Sequence, residues 1–279
     1  MLAKQEMKKI PILMYHSISR HATPKFKPFT VSTESFADQM AYLRHHAYTL
    51  MTVTQLVKAL TQEGSVLPER PIVLTFDDGF ADFFTDALPI LQQYGFPATL
   101  YVTTGFVGST SRWMQREGEA TRLMLTWEQL TEICMCGVEL GGHSHSHRQL
   151  DTLPLAIAQD EIIRCKRLLE DRLGQEVLSF AYPHGYHSAT TKRLVREAGY
   201  TSACAVSYAM SSEVTDALAL ARLRIGPDTS VDALAALLTK PLPTLGTTIY
   251  KRTRASVWRL VRRSSARITP YLQGGQEMW

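Results

Sequence analysis

Apolar and polar positions fall into short blocks along this chain, and the blocks keep switching period. Ile10–Tyr15 is an apolar run ending at His16, which reads as a buried strand. Within Glu34–His46, Phe36, Met40 and Leu43 recur at helical spacing. A strand around Tyr48–Met51 and a helix around Thr54–Leu60 follow. Pro71–Phe76 is apolar and rich in β-branched residues, and it stops at Asp77-Asp78-Gly79. Ala81–Tyr94 reads as a helix kinked at Pro89 and ended by Gly95, and Ala98–Val102 as a strand. Thr126-Trp127-Glu128-Gln129 is a capping-box pattern for a helix ending before Gly137. Val138–Leu140 is then a very short strand leading into Gly141-Gly142-His143. Leu155–Leu173 is a long helical pattern closed by Gly174. Strands at Val177–Ala181, Thr201–Val206 and Leu220–Ile225, with helices at Thr190–Ala198 and Val231–Leu238, complete the body.

Strand and helix therefore alternate about seven times. That alternation predicts an α/β fold with parallel strands joined by crossover helices. The 279 residues accommodate one α/β barrel of roughly 200–250 residues plus a tail. Pro241 and Pro243 mark the boundary, giving a catalytic body over 1–242 and a C-terminal tail over 243–279.

Charge sharpens the division. Residues 243–279 carry seven lysines and arginines against Glu277, more positive charge than the whole chain's net +4. The body is therefore slightly acidic, which excludes a nucleic-acid partner for it. Val257, Trp258, Leu260 and Val261 stand among the basic residues of 251–267, a pattern of helices lying on anionic membranes. The tail is thus either a solvated segment or a peripheral membrane contact. No apolar segment of signal-peptide length opens the chain, so a cytoplasmic location is expected, at the cytoplasmic membrane face if the tail binds there. Cys134, Cys136, Cys165 and Cys204 are then expected to be reduced thiols.

The chain contains no phosphate-cradling loop, dinucleotide fingerprint, HExxH or GxSxG. Four polar clusters instead follow strands: His16, Asp77-Asp78, His143-Ser144-His145-Ser146-His147, and Tyr182-Pro183-His184. In a parallel barrel, that end of the strands carries the active site. Two adjacent carboxylates repel each other unless a cation intervenes. His143 and His147 with one aspartate form a ligand set of the kind that holds catalytic zinc.

These residues resemble the polysaccharide deacetylase (NodB-homology) family, carbohydrate esterase family 4, over nearly all of residues 10–240. Thr75-Phe76-Asp77-Asp78-Gly79 is similar to the family's first motif and His143–His147 to its second. Phe180-Ala181-Tyr182-Pro183-His184-Gly185 is similar to its third, usually Arg-x-Pro-Tyr-Gly. The resemblance implies a distorted (β/α)7 TIM-like barrel. It implies that Asp77 is the general base and that Asp78, His143 and His147 hold a divalent metal, zinc first among the choices. Tyr182, Pro183 and His184 line the substrate site on the same grounds, and His145 takes the family's variable position. The late strand at Leu220–Ile225 ends in Gly226-Pro227 and offers no catalytic histidine. Pro11–His16 resembles a branch in which the first strand supplies the acid, which makes His16 that candidate. The family's arginine beside the base is Ala181 here, with Arg222 or Arg224 as substitutes.

The implied activity is removal of acetyl groups from an N-acetylated glycan, releasing acetate and a free amino sugar. An amidase or cyclic-imide hydrolase on the same scaffold is the alternative, because of Ala181 and His184. A catalytically silent glycan-binding protein is the second.

Overall fold

A computed structural model describes residues 9–206, 210–211 and 216–239. In chain order its elements are β1 (Ile12–Tyr15), β2 (Ser17–Ile18), β3 (Thr30–Val31), α1 (Thr33–His45), β4 (Thr49–Met51), α2 (Val53–Thr61), β5 (Pro71–Phe76), α3 (Leu88–Tyr94), β6 (Ala98–Val102), α4 (Trp127–Met135), β7 (Val138–Gly142), α5 (Leu155–Leu173), β8 (Ser179–Ala181), α6 (Ala189–Glu197), β9 (Ser202–Cys204), β10 (Leu223–Arg224) and α7 (Val231–Thr239). The expected division at 243 and the basic segment 251–267 lie outside the described residues.

Seven strands run parallel in the order β10-β1-β5-β6-β7-β8-β9, and β4 pairs with the first half of β5. The register places Tyr15 beside Phe76, Val102 beside Gly142, and Gly142 beside Phe180. Parallel strands in this register bring His16, Asp77, His143 and Tyr182 to one end of the sheet. The ring is joined by a single stretch. Leu220 donates to Ala203 of β9 and accepts from Ala205 just beyond it, and Ile225 donates to Met14 of β1. The expected strand Leu220–Ile225 is therefore regular only at Leu223–Arg224, because the segment changes partner midway. Arg222 sits between its two attachments.

Local chemistry explains the elements. Thr126 and Gln129 form the capping box that opens α4, and Gly174 ends α5 with φ 67°. The segment before α3 winds as a π-helical turn over Phe83–Ala87, and Pro89 lies in the first turn of α3. Proline has no N–H to give to the helix ladder, so the register change falls where that bond is missing. β7 runs on through Gly141 and Gly142, two residues beyond the expected strand, because the sheet packs too closely there for a side chain. A Cβ at Gly141 would lie 2.5 Å from the Tyr101 ring, and one at Gly142 would lie 2.3 Å from the Tyr200 hydroxyl. No helix among the described residues is long and apolar enough to cross a membrane.

Candidate metal centre and active site

The functional side chains gather at the strand ends, and Asp78, His147 and His184 leave through a bent backbone. Among the described residues five non-glycine residues have positive φ: Ala47, Asp78, Ser144, His147 and His184. Four of the five belong to the motifs. The left-handed conformation costs an L-residue on the order of 1–2 kcal/mol, and such strain concentrates where side chains must be aimed.

The bend at Asp78 (φ 80°) sends the paired carboxylates to different partners. Asp78 Oδ1 lies 3.1 Å from His147 Nε2 and 3.4 Å from His143 Nε2. One ligand atom from each residue falls within 4.8 Å of the others. His143 is buried, and its Nδ1 donates to the Ala181 carbonyl at 2.8 Å, which fixes the tautomer and leaves Nε2 as a lone pair facing the carboxylate. Asp78 Oδ1 is buried without a hydrogen bond of normal geometry. Two imidazole nitrogens and one carboxylate oxygen, converging on a buried oxygen that lacks a donor, fit a divalent cation with an open coordination position. Burial raises the pKa of Asp78, but His147 and the contacts from both imidazoles hold it well below the usual range. Burial lowers the pKa of His143, and Asp77 and Asp78 more than reverse that.

The loop carrying the histidines is braced from below. Ser144 Oγ accepts from the His147 backbone at 3.0 Å. Glu161 on α5 accepts from the Ser146 backbone at 2.7 Å and also from its hydroxyl. His145 points elsewhere: its Nδ1 meets Thr104 Oγ1 at 3.0 Å, and its carbonyl accepts from Gly105.

Asp77 is locked to Arg222. Two guanidinium nitrogens donate to its two oxygens at 2.6 and 2.7 Å, and both side chains are buried. Arg222 also donates to Thr75 Oγ1 at 3.2 Å and to the Ala205 carbonyl at 3.3 Å. Burial raises the pKa of Asp77, but the guanidinium, with help from His143 and His16, keeps the carboxyl below its usual value. Of the two arginines open as substitutes for the one missing at Ala181, Arg222 pairs with Asp77. Arg224 instead lies over the Phe29 ring at 5.4 Å.

His16 ends β1, partly buried and edge-on to Phe29 at 5.2 Å. Burial lowers its pKa, and the charges of Asp78 and Asp77 oppose the shift, so its imidazole lies within the field of both carboxylates. Tyr182 and Pro183 follow β8 directly. Both are buried, and the Tyr182 hydroxyl donates to the Leu218 carbonyl at 3.0 Å. They build the turn that presents His184, whose exposed ring stands 4.8 Å from that of His147.

Sequence reasoning missed Trp113, whose ring stands 5.2 Å from His147 and is backed by Phe106 at 4.5 Å. It also missed Glu161. That residue carried a readable signal, because it shares the buried face of α5 with Ala158, Ile162, Cys165 and Leu169. A charge on an apolar stripe has to meet a partner.

Residues 64–203 match the family model described as polysaccharide deacetylase. This chain belongs to the polysaccharide deacetylase family. One relative is YxkH of Bacillus subtilis (strain 168), a protein named for the same family. It is 28% identical over 230 residues, which cover 82% of this chain and 76% of that one. The poly-beta-1,6-N-acetyl-D-glucosamine N-deacetylase of Escherichia coli (strain K12) is 30% identical over 140 residues. That match covers 48% of this chain but a fifth of the length of the E. coli enzyme. Among solved structures, the Streptococcus pyogenes deacetylase PplD in complex with acetate superposes with a TM-score of 0.72. It is 27% identical, and the match covers 84% of this chain and all of that one. The curled parallel sheet is thus the fold of the polysaccharide deacetylases.

Proposed function

We propose that this member of the family is a metal-dependent hydrolase removing acetyl groups from a glycan built of N-acetylglucosamine. One observation carries the reading. A donor set for a divalent ion and a second carboxylate, held ionised by a buried arginine, emerge at the same end of the sheet. Asp78, His143 and His147 hold the ion, with zinc the first choice for such ligands. When bound, it polarises the acyl carbonyl and makes water more acidic.

The protein's own groups then have distinct tasks. Asp77 accepts a proton from water as the water oxygen bonds to the acetyl carbon. Arg222 fixes the direction of that carboxylate and keeps it ionised. The C–N bond breaks, and His16 delivers a proton to the departing nitrogen. Water supplies the oxygen of acetate and, on balance, the proton on the amine. Trp113 and His184 flank the His147 side of the cluster, where sugar and acetyl groups would pack.

The small-amide alternative drew on Ala181 and His184, the first of them as a missing arginine. Arg222 supplies a guanidinium from another segment, so that departure no longer favours it. The relative named for poly-beta-1,6-N-acetyl-D-glucosamine makes oligomers of that sugar the first substrates to test. Acetate release from them, with no ammonia or ring-opened product from small amides and cyclic imides, is the expected result. The opposite pattern overturns the substrate class, and bound metal with no hydrolysis of either set supports a silent glycan-binding protein. For residues 251–267 the proposal remains contact with an anionic membrane, at the cytoplasmic face. Equal vesicle sedimentation of the full chain and of a chain ending at 242 would refute it.

A further inference from the structure

One charged cluster outside the metal centre is not explained by the reaction. Arg122 lies between β6 and α4, and its side chain is 13% exposed. Every guanidinium nitrogen is engaged. Nε donates to Glu119 at 3.1 Å, Nη1 to Asp82 at 2.9 Å and to Ser17 Oγ at 3.2 Å, and Nη2 to the His21 carbonyl at 2.9 Å. The group also lies over the rings of Phe26 (4.9 Å) and Phe80 (5.7 Å). Ser17 donates to Asp82 at 2.6 Å.

These contacts join three segments. One follows His16, one follows Asp78, and one carries Trp113. Among the described residues no backbone-to-backbone hydrogen bond links 17–26 to 109–124. Side chains make the connection instead: Glu119 also accepts from the Thr23 backbone at 2.6 Å, Thr23 Oγ1 donates to the Glu117 carbonyl at 2.6 Å, and Lys25 Nζ donates to the Arg116 carbonyl at 2.9 Å. A cavity of about 400 Å³ lies beside the cluster, lined by Arg20, His21, Ala22, Thr23, Glu119 and Arg122. Without the guanidinium, the Asp82 and Glu119 carboxylates that it joins would lose the cation they share. The segments would then have both a reason to part and room to do so.

We propose that Arg122, acting with Asp82, is a positioning residue: it clamps the segment behind His16 to the loop bearing Trp113, so that proton donor and aromatic wall keep their places on either side of the metal cluster. The catalytic part of this inference rests on the proposed deacetylase reading, but the mechanical part does not.

The test compares full-length Arg122→Ala, Arg122→Lys and Asp82→Asn with the wild type. Amide hydrogen exchange, bound zinc, and kcat and KM on N-acetylglucosamine oligomers are measured for each. Arg122→Ala should speed exchange by about tenfold or more in 17–26 and 109–124, with 143–147 and bound zinc unchanged. Its kcat should fall by roughly 10- to 100-fold with a smaller change in KM, as misplacement of a reacting group does. Arg122→Lys, which keeps the charge and loses the fork, should recover part of both effects. Unchanged exchange in 17–26, a uniform rise across the protein, or faster exchange with kcat untouched would overturn the proposal. If Arg122→Ala does not fold, the same criteria apply to Arg122→Lys and Asp82→Asn. A wild type that releases no acetate refutes the deacetylase reading, while the exchange data still judge the clamp.

Discussion

Arg222→Met gives a demanding check on how the base is held. The substitution removes two charge-assisted hydrogen bonds, of 2.6 and 2.7 Å, and leaves the buried Asp77 without its cation. Breaking a buried pair from one side costs about 3–5 kcal/mol, mostly because the remaining charge is stranded. A domain typically has about 5–15 kcal/mol to lose, so the variant should fold but melt earlier. Asp77→Asn in the same chain should relieve part of that loss, since no stranded charge remains. The double variant is therefore expected to be more stable than the sum of the single changes predicts. The pH dependence follows from the same pair. In the wild type Asp77 titrates below its unfolded value of about 3.9. The stabilisation is thus present above that value and is lost as pH falls through the folded pKa. Without the guanidinium, burial dominates and the carboxyl titrates higher, so the acid limb of kcat/KM should move to higher pH. With the base both misaimed and partly protonated, kcat should fall by about 10²–10⁴-fold. Denaturant titration, the double-variant cycle and pH–rate profiles read these effects. A loss below about 1 kcal/mol together with an unmoved acid limb would refute the reasoning.

Other consequences follow from the same geometry. His147→Ala should abolish stoichiometric zinc binding, measured by calorimetry and metal analysis, whereas His145→Ala, whose ring bonds Thr104, should retain it. Glu161→Gln should weaken zinc binding by roughly 10- to 100-fold without removing a ligand, because it loosens the loop through Ser146. Ligand histidines must lose their protons before they bind. Because the two aspartates raise the pKa of His143, zinc affinity should begin to fall at a higher pH than an ordinary histidine would set.

Much of the barrel was legible because its signals are local. PIVLTF, ATLYV and the Leu155–Leu173 helix appear at their expected bounds, each marked by its apolar pattern, the first and last also by an aspartate or glycine stop. Errors arose where a neighbour decides. Gly141 and Gly142 looked like a strand end, but they lie within β7 because Tyr101 and Tyr200 press against it. Leu220–Ile225 looked like one strand, but it serves two edges in turn. The site divides in the same way. The ligand set could be read because Asp78, His143 and His147 each follow a strand in short motifs. The choice of Arg222 over Arg224 could not, because residues two apart in a regular strand share a face, and only the change of partner along Leu220–Ile225 separates them. Tyr182, Pro183 and His184 share one motif, and the turn that buries the first two presents the third. Arg122 left little sequence signal, since apart from Glu119 three positions before it, its side-chain partners lie 40 and 105 positions away.

The central claim is that Asp77 does chemistry beside an ion it does not hold. Acetate release from N-acetylglucosamine oligomers by metal-stripped, zinc-reloaded and zinc-reloaded Asp77→Asn protein tests it directly. Stripped protein should be inactive and reloading should restore it. Asp77→Asn should take up one equivalent of zinc and yet turn over about 10²–10⁴-fold more slowly. Zinc-loaded Asp77→Asn working as fast as the wild type, or stripped protein working as fast as reloaded, would contradict the account.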